Sequence, residues 1–288
     1  MATHREAPIV VGIDGSSTSL DALRWAAHRA ALHHCPLHLV YAVGAPADFV
    51  SEIGVVGFDN VELRAEGEEV LAAAGKVARE VSPDIELRTE VADPAPVPVL
   101  LARSREALMI VAGTRGLGAV GRGLLGSVST SLARHAHCPV AVIPDAEAPP
   151  LDLSRLPVVV GVDGSPRGQE AVVIAFDEAS RMGVGVIAVT AWSEFFRYIS
   201  RAGMQQEARA LQSESMAGQC ERHPDVPVTR VVVEDRPARR ILAEAENAQL
   251  VVVGSHGRGG FAGMTLGSVG QAVLHGSHIP VIVARTRE

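Results

Sequence analysis

The amino-acid sequence predicts an α/β protein built from two tandem doubly wound domains. Its 288 residues are about the length of two ordinary domains. The segment IVVGIDGS at residues 9–16 returns as VVVGVDGS at 158–165, and the segment 113–127 returns at 254–268. Short β-branched runs alternate with helical segments in both copies, a pattern typical of parallel sheets built from βαβ units. We therefore expect a duplicated α/β domain.

A proline-rich polar stretch separates the two copies. It covers residues 144–157 and is typical of an extended linker. The sequence therefore predicts a first domain at residues 1–146 and a second domain at residues 155–288.

Composition and charge exclude several classes of protein. Hydrophobic residues make up 47% of the chain and charged residues 20%, as in a globular protein with strands buried on both faces. A net charge of −7 and an aromatic content of 3% argue against a nucleic-acid-binding surface. No apolar run approaches the ~20 residues of a membrane span, and the N-terminal sequence lacks a signal-peptide apolar region. We expect a cytoplasmic protein that contacts neither nucleic acid nor membrane.

The cysteines and histidines do not predict a metal site. The three cysteines, Cys35, Cys138 and Cys220, lie far apart without a CxxC pair and are expected to be reduced thiols. Two pairs of histidines are further candidate ligands: His33 with His34, and His135 with His137. Both pairs fall in the last turns of predicted helices, where imidazole near the negative end of the helix dipole is common. No metal ligand is therefore assigned.

Each copy is predicted to contain five strands. In the first copy they lie near residues 9–13, 37–43, 85–91, 108–112 and 139–143. In the second copy they lie near residues 158–162, 184–191, 228–233, 250–253 and 280–284. Ser16 or Ser17 is expected to cap the first helix, and Ser165 with Pro166 gives the same helix start in the second copy.

The loops after strand four repeat one glycine spacing. Gly113 and Gly116 are followed, after nine intervening residues, by Gly126 and Ser127, and the second copy has the same spacing from Gly254 to Ser268. Glycines let backbone amides approach phosphate oxygens, and a serine that opens a helix adds amides and a dipole that favour an anion. The loops are therefore interpreted as phosphate cradles, although a glycine after a strand can also be a simple turn.

Asp14 and Asp163 end the first strand of each copy. Strands one and four are expected to be neighbours at the switch point of a doubly wound sheet, which puts both carboxylates beside the glycine loops. Such a carboxylate can accept a hydrogen bond from ribose or adenine, or hold a metal ion against phosphates. An aspartate at this junction can also cap the first helix.

The pattern G-x2-G-x9-G-[ST], paired with VGIDGS and found twice, resembles the ATP-binding universal stress proteins. The likeness is greatest to the tandem two-domain members common in actinobacteria. The resemblance implies Rossmann-like domains of strand order 3-2-1-4-5 that bind ATP, with Mg²⁺ beside the phosphates as a further expectation. The nucleotide contacts that it implies in the first copy are Asp14, Gly15, Ala42, Ala112, Gly113, Gly116, Gly126, Ser127, Val128 and Ser129. In the second copy they are Asp163, Gly164, Ala191, Val253, Gly254, Gly257, Gly267, Ser268 and Val269.

The two implied sites differ at one position. Gly270 stands where the first copy has Ser129, so the second site is expected to hold its phosphates less completely.

Three functions fit this pattern. The favoured one is an ATP-binding regulator of stress response or growth with little or no hydrolysis. The alternative is a slow ATPase or phosphotransferase. Against it, the loop from Gly121 to Ser127 resembles a P-loop but lacks the lysine before the serine, and no water-positioning base is evident. A third reading, an enzyme that binds a flavin or an adenylated intermediate, predicts an added substrate domain, whereas this chain has a duplicate instead.

Two surfaces are candidates for contacts with protein. The fifth strands are predicted sheet edges, which are expected to meet within one chain about a pseudo-twofold axis, and two chains are expected to form a homodimer. The aromatic-rich connections after strand two, residues 44–60 and 192–205, are either a lid or interaction surface or a buried pad between the copies. Recognition of an unidentified protein partner, if there is one, is expected there.

Overall fold

A computed structural model describes residues 7–43, 60–93, 95–114, 125–145, 155–192, 200–257 and 265–285. These residues divide into two units, one within 7–145 and one within 155–285. Among them, no helix is both long and apolar enough to cross a bilayer.

The first unit alternates parallel strands with helices. The strands are β1 Ile9–Gly12, β2 Leu37–Ala42, β3 Leu87–Ala92, β4 Met109–Gly113 and β5 Val140–Ile143. The helices are α1 Ser17–His33, α2 Asn60–Val81, α3 Pro96–Arg103 and α4 Ser127–His135. The strand order is β3-β2-β1-β4-β5, with Ile9 of β1 in register with Leu37 of β2 and Met109 of β4.

The second unit repeats this arrangement. Its strands are β6 Val158–Gly161, β7 Val186–Trp192, β8 Val228–Glu234, β9 Leu250–Gly254 and β10 Val281–Ala284. Its helices are α5 Pro166–Met182, α6 Arg201–Arg222, α7 Pro237–Ala245 and α8 Ser268–Gly276. The order β8-β7-β6-β9-β10 is the first unit's order again, with Val158 in register with Val186 and Leu250. The predicted fold class and the strand order 3-2-1-4-5 are therefore confirmed for both units.

The central strands are short runs of apolar residues because both of their faces are covered by helices. Ile9, Val10 and Val11 of β1 are at most 1% exposed, and all four residues of β5 are buried. In the outer strand β3, by contrast, only Ala92 is buried, and the other residues are exposed or half-buried. The core of each unit thus lies around the central strands, which end at the loops that carry the predicted site.

Candidate functional site

The first strand of each unit leads into an Asp-Gly-Ser turn. Asp14 Oδ1 accepts hydrogen bonds from the Ser16 backbone N–H at 3.0 Å and from the Ser16 hydroxyl at 2.6 Å. Asp163 Oδ1 accepts the equivalent bonds from Ser165 at 3.0 and 2.7 Å. The glycine between each pair has φ of +82° and +73°, a left-handed conformation that favours glycine. The turn fixes the carboxylate beside the end of the strand.

The serine of this turn, rather than the aspartate, caps the following helix. Ser16 Oγ accepts from the Ser19 backbone N–H at 3.2 Å, and Ser165 Oγ accepts from Gly168 N–H at 3.0 Å. The predicted serine caps are therefore confirmed. Each aspartate was a candidate for helix capping, for ligand binding or for both. The structure excludes it as the N-cap, because it binds the hydroxyl of the serine that caps the helix.

Glycine allows the Asp163 carboxylate to lie against two stretches of backbone. A Cβ built on Gly168, in the first turn of α5, would stand 2.2 Å from Asp163 Oδ1. A Cβ on Gly257 would stand 2.7 Å from Asp163 Oδ2. Both distances are shorter than any real carbon–oxygen contact of this kind, so a side chain at either position would displace the carboxylate.

A cavity of about 310 Å³ opens at the ends of β6 and β9 in the second unit. Eight of the nine second-copy residues predicted to contact nucleotide line it: Asp163, Ala191, Val253, Gly254, Gly257, Gly267, Ser268 and Val269. The ninth, Gly164, is exposed beside it in the turn. The structure therefore brings the predicted second-copy residues together at the switch point of the sheet, where doubly wound folds bind ligands.

The cavity lining combines apolar side chains with glycine-rich backbone. Val162, Ile241 and Val253 line the cavity and are 2–3% exposed. The lining also includes Gly257 and the start of α8 at Ser268. This combination suits a ligand that has both an apolar ring and an anionic group.

The helices that begin at the site lack side-chain caps. Both α4 and α8 start at the predicted serines, Ser127 and Ser268, with Gly126 and Gly267 as N-caps that make no side-chain hydrogen bond. The first-turn amides of these helices therefore have no capping side chain in front of them. Together with the helix dipole, such amides favour an anion.

The two ends of each glycine loop are joined by a backbone hydrogen bond. Gly126 N–H donates to the Thr114 carbonyl at 2.6 Å, and Gly267 N–H donates to the Ser255 carbonyl at 2.7 Å. Because each bond ties the helix N-cap to the end of the preceding strand, the first-turn amides keep a fixed distance from that strand.

The first glycine of each loop also lets the strand approach a helix closely. A Cβ on Gly113 would meet the Thr18 carbonyl oxygen at 2.8 Å, and a Cβ on Gly254 would meet the Arg167 carbonyl oxygen at 2.9 Å. Contact with phosphate is therefore not needed to explain these two glycines, since packing of the strand against the first turn of α1 or α5 already requires them.

Ser129 and Gly270, the position at which the copies differ, lie beneath the helix starts. Ser129 is 1% exposed, and its hydroxyl donates to the Gly126 carbonyl at 3.0 Å and to the Thr114 carbonyl at 3.4 Å. Gly270 is buried and lines the floor of the second-unit cavity. In the first unit this hydroxyl thus contacts the glycine loop itself.

The remaining first-copy residues occupy the equivalent places. Ala42 ends β2, Ala112 is the residue before Gly113 at the end of β4, and Val128 follows Ser127 in α4. Gly116 lies outside the described residues, as do residues 44–59 and 193–199 of the two aromatic-rich connections; the end of the second connection, from Arg201, belongs to α6. The lid and pad alternatives for those connections stay open.

Sequence reasoning missed part of the cavity wall. Gly168, Pro237, Ile241 and His256 line the cavity but were not predicted. Pro237 and Ile241 lie on α7, which carries no polar motif and is distant in sequence from the glycine loop. The apolar periodicity of α7 predicts that Ile241 is buried. It does not predict whether Ile241 packs on the sheet or lines a cavity.

A charged cluster lies apart from the strand ends in the first unit. His38 Nε2 lies 3.1 Å from Glu90 Oε2, and Arg103 Nε donates to Glu90 Oε2 at 2.8 Å. The hydrogen bond from Arg103 holds the pKa of Glu90 below its usual value. Burial lowers the pKa of His38, and the attraction of Glu90 offsets this in part. The second unit has Ile187 at the position of His38.

The fold and this arrangement define a tandem pair of doubly wound domains, with a cavity at the switch point of the second. The model of the universal stress protein family matches residues 7–144 and 155–285, and the chain belongs to that family. Universal stress protein Rv2005c of Mycobacterium tuberculosis is 48% identical over 290 residues, which is 96% of each chain. Universal stress protein Rv2623 of the same organism is 42% identical over 285 residues, again 96% of each chain.

A solved structure has the same fold over its whole length. A universal stress protein from Archaeoglobus fulgidus DSM 4304 matches with a TM-score of 0.71 and 20% identity, over 98% of this chain and 97% of that chain. At this identity the likeness is one of fold alone.

Proposed function

We propose that this chain is an ATP-binding regulator of stress response or growth, with little or no hydrolysis. The observation that supports it best is the second-unit cavity, whose lining brings together apolar side chains, Asp163 and a helix N-terminus without a side-chain cap. Membership of the universal stress protein family, with its motif present twice, is consistent with a nucleotide as the ligand. In this proposal the protein is cytoplasmic and homodimeric.

The cavity offers a different chemical environment to each part of ATP. The adenine ring suits the apolar side chains of Val162, Ile241 and Val253. The Asp163 carboxylate only accepts hydrogen bonds, so its ligand partner is a ribose hydroxyl, the adenine amino group or a Mg²⁺ ion that accompanies the phosphates. The phosphates fit the amides of Ser268 and Val269 at the start of α8.

The first unit has the same elements in the same order. Asp14 is held by Ser16 as Asp163 is held by Ser165, and Ser127 opens α4 after a glycine N-cap. We therefore propose one ATP site in each unit.

The residues at the phosphate end argue against efficient hydrolysis. A P-loop lysine would stand directly before the helix-starting serine, where this chain has Gly126 and Gly267. Among the described residues that line the second-unit cavity there is no lysine or arginine. Without a lysine or arginine to neutralise the charge that develops on the transferred phosphoryl group, turnover should be slow.

Two measurements on purified protein test the proposal. Denaturation followed by mass spectrometry of the released small molecules should yield ATP, or ADP from slow turnover. Steady-state ATP turnover should lie far below the ~1 to 100 per second of kinases. Turnover within that range, abolished by Asp14→Ala or Asp163→Ala, would instead establish the ATPase or phosphotransferase alternative.

A further inference from the structure

The second glycine loop is held by a side chain from helix α5. Arg167, in the first turn of α5, donates from Nη1 to Ser255 Oγ at 2.9 Å. Ser255 follows the last residue of β9 and is fully buried. A charge-assisted hydrogen bond to a buried hydroxyl is among the stronger polar contacts in a protein. Arg167 therefore restrains the residue at which the glycine loop begins.

Ser255 connects this contact to the phosphate end of the cavity. Its carbonyl accepts from Gly267 N–H at 2.7 Å, and Gly267 is the N-cap of α8. Its own N–H donates to the Ala284 carbonyl at 3.1 Å. A shift of Ser255 would consequently move the N-cap and the first-turn amides that follow it.

The first unit restrains the equivalent residue from the opposite end of the loop. Thr114 takes the place of Ser255, and its carbonyl accepts from Ser129 Oγ at 3.4 Å. The second unit has Gly270 at the position of Ser129 and cannot form this bond. Conversely, the first unit has Thr18 at the position of Arg167 and has no guanidinium there.

We propose that Arg167 is a positioning residue of the second ATP site. Its contact with Ser255 replaces the contact that the Ser129 hydroxyl makes with Thr114 in the first unit. The inference rests on the proposed ATP binding. Arg167 is not among the residues that line the cavity, so its effect on the ligand passes through Ser255. By keeping the α8 amides in place before the ligand arrives, it lowers the ordering cost of binding. The second site is thereby as well ordered as the first, despite Gly270.

The test is photolabelling of the full chain with 8-azido-ATP, followed by peptide mapping that scores the two halves separately. Arg167→Ala and Ser255→Ala should each weaken labelling of the second half about tenfold and leave the first half unchanged. Both changes remove the hydrogen bond between Arg167 and Ser255, and Ser255→Ala also removes the 3.4 Å contact of Ser255 Oγ with His256 Nδ1. The double variant should therefore be no weaker than Ser255→Ala alone. Thermal unfolding of each variant checks that the fold is retained.

Rescue separates positioning from a general loss of structure. Gly270→Ser in the Arg167→Ala background should restore labelling of the second half. A Cβ at this position has its tightest contact with the end of the Leu266 side chain, at 3.1 Å from Cδ1, and an ordinary contact with the Gly254 carbonyl oxygen at 3.6 Å. Arg167→Lys, which keeps a charged donor, should retain most of the labelling.

Several outcomes would overturn the proposal. Wild-type labelling of the second half in Arg167→Ala would do so, as would an Arg167→Ala defect that Ser255→Ala does not reproduce, since that would indicate a direct effect of the charge. If Arg167→Ala does not fold, normal labelling of folded Ser255→Ala overturns it. If neither half of the wild-type protein is labelled, the proposed ATP binding fails instead.

Discussion

Gly257 has no side chain, and this leaves space for the Asp163 carboxylate. The residue lies over Asp163 Oδ2, and an added Cβ would stand 2.7 Å from that oxygen. We predict that Gly257→Ala displaces the carboxylate and weakens ATP binding by the second half about tenfold or more. Calorimetric titration of the full chain should then detect about one tight site where the wild type has two.

Gly218 provides the control for this change. It lies within α6, and an added Cβ there meets nothing within 4 Å. Gly218→Ala should leave ATP binding unchanged and raise the free energy of unfolding by about 1 kcal/mol, because alanine favours a helix. Equal ATP binding by the Gly257→Ala and Gly218→Ala proteins would show that the affinity for ATP does not depend on the position of the Asp163 carboxylate.

The His38 cluster makes the first unit sensitive to acid. Burial lowers the pKa of His38 from 6.5. The unfolded chain therefore takes up this proton at a higher pH than the folded chain does, and the free energy of unfolding falls as the pH drops below about 6.5. His38→Gln should flatten this dependence in urea unfolding measured from pH 7 down to the folded-state pKa.

The imidazole titration can be followed directly by NMR. Arg103 also lowers the pKa of His38 through its positive charge. Arg103→Met should therefore raise the His38 pKa above its wild-type value. A wild-type value at or above 6.5, or a decrease in Arg103→Met, would contradict the assignment of burial and charge as the causes.

At the scale of elements, the start of α5 combines helix capping with site geometry. Ser165 Oγ accepts from Gly168 N–H at 3.0 Å and donates to Asp163 Oδ1 at 2.7 Å. Ser165→Ala should thus cost about 1 kcal/mol of stability, as for other serine caps, and should also weaken ATP binding by the second half. Chemical unfolding and ATP titration of the same protein measure the two effects.

The cap of α6 separates the two roles. Ser200 Oγ accepts from Gly203 N–H at 3.2 Å, and neither residue lines the cavity. Ser200→Ala should have a similar cost in stability without loss of ATP binding. If Ser165→Ala and Ser200→Ala bind ATP equally well, the contact of the Ser165 hydroxyl with Asp163 does not contribute to ATP binding.

The elements themselves were predictable from the sequence. Strands such as β4 and β9 are continuous apolar runs that end at a glycine, and Ser-Pro at 165–166 marks a helix start that the structure reproduces. Periodicity and capping are local signals, so they locate such elements to within a residue or two.

The cavity wall was less predictable because it depends on tertiary packing. Ile241 and Gly168 reach the same cavity from α7 and α5, and nothing local in the sequence distinguishes them from core residues. The packing role of Gly113 and Gly254 was likewise hidden, since a glycine suited to phosphate and a glycine suited to a close helix contact are the same residue.

At the scale of the whole molecule, the duplication provides two candidate sites that are similar but not identical. Both units keep the strand order, the Asp-Gly-Ser turn and the helix that starts at a serine after a glycine N-cap. They differ in Ser129 against Gly270 and in Thr18 against Arg167. The sequence alone predicted a weaker second site from Gly270, whereas the contact of Arg167 with Ser255 predicts two sites of comparable order.

The most direct test of the central claim is the number of ATP molecules that one chain binds. Calorimetric titration of nucleotide-free protein with ATP, in the presence of Mg²⁺, should give a stoichiometry of about two per chain. Gly257→Ala should reduce this to about one without loss of the folded state. Absence of measurable ATP binding by the folded wild-type protein, or a stoichiometry and affinity unchanged in Gly257→Ala, would contradict the account.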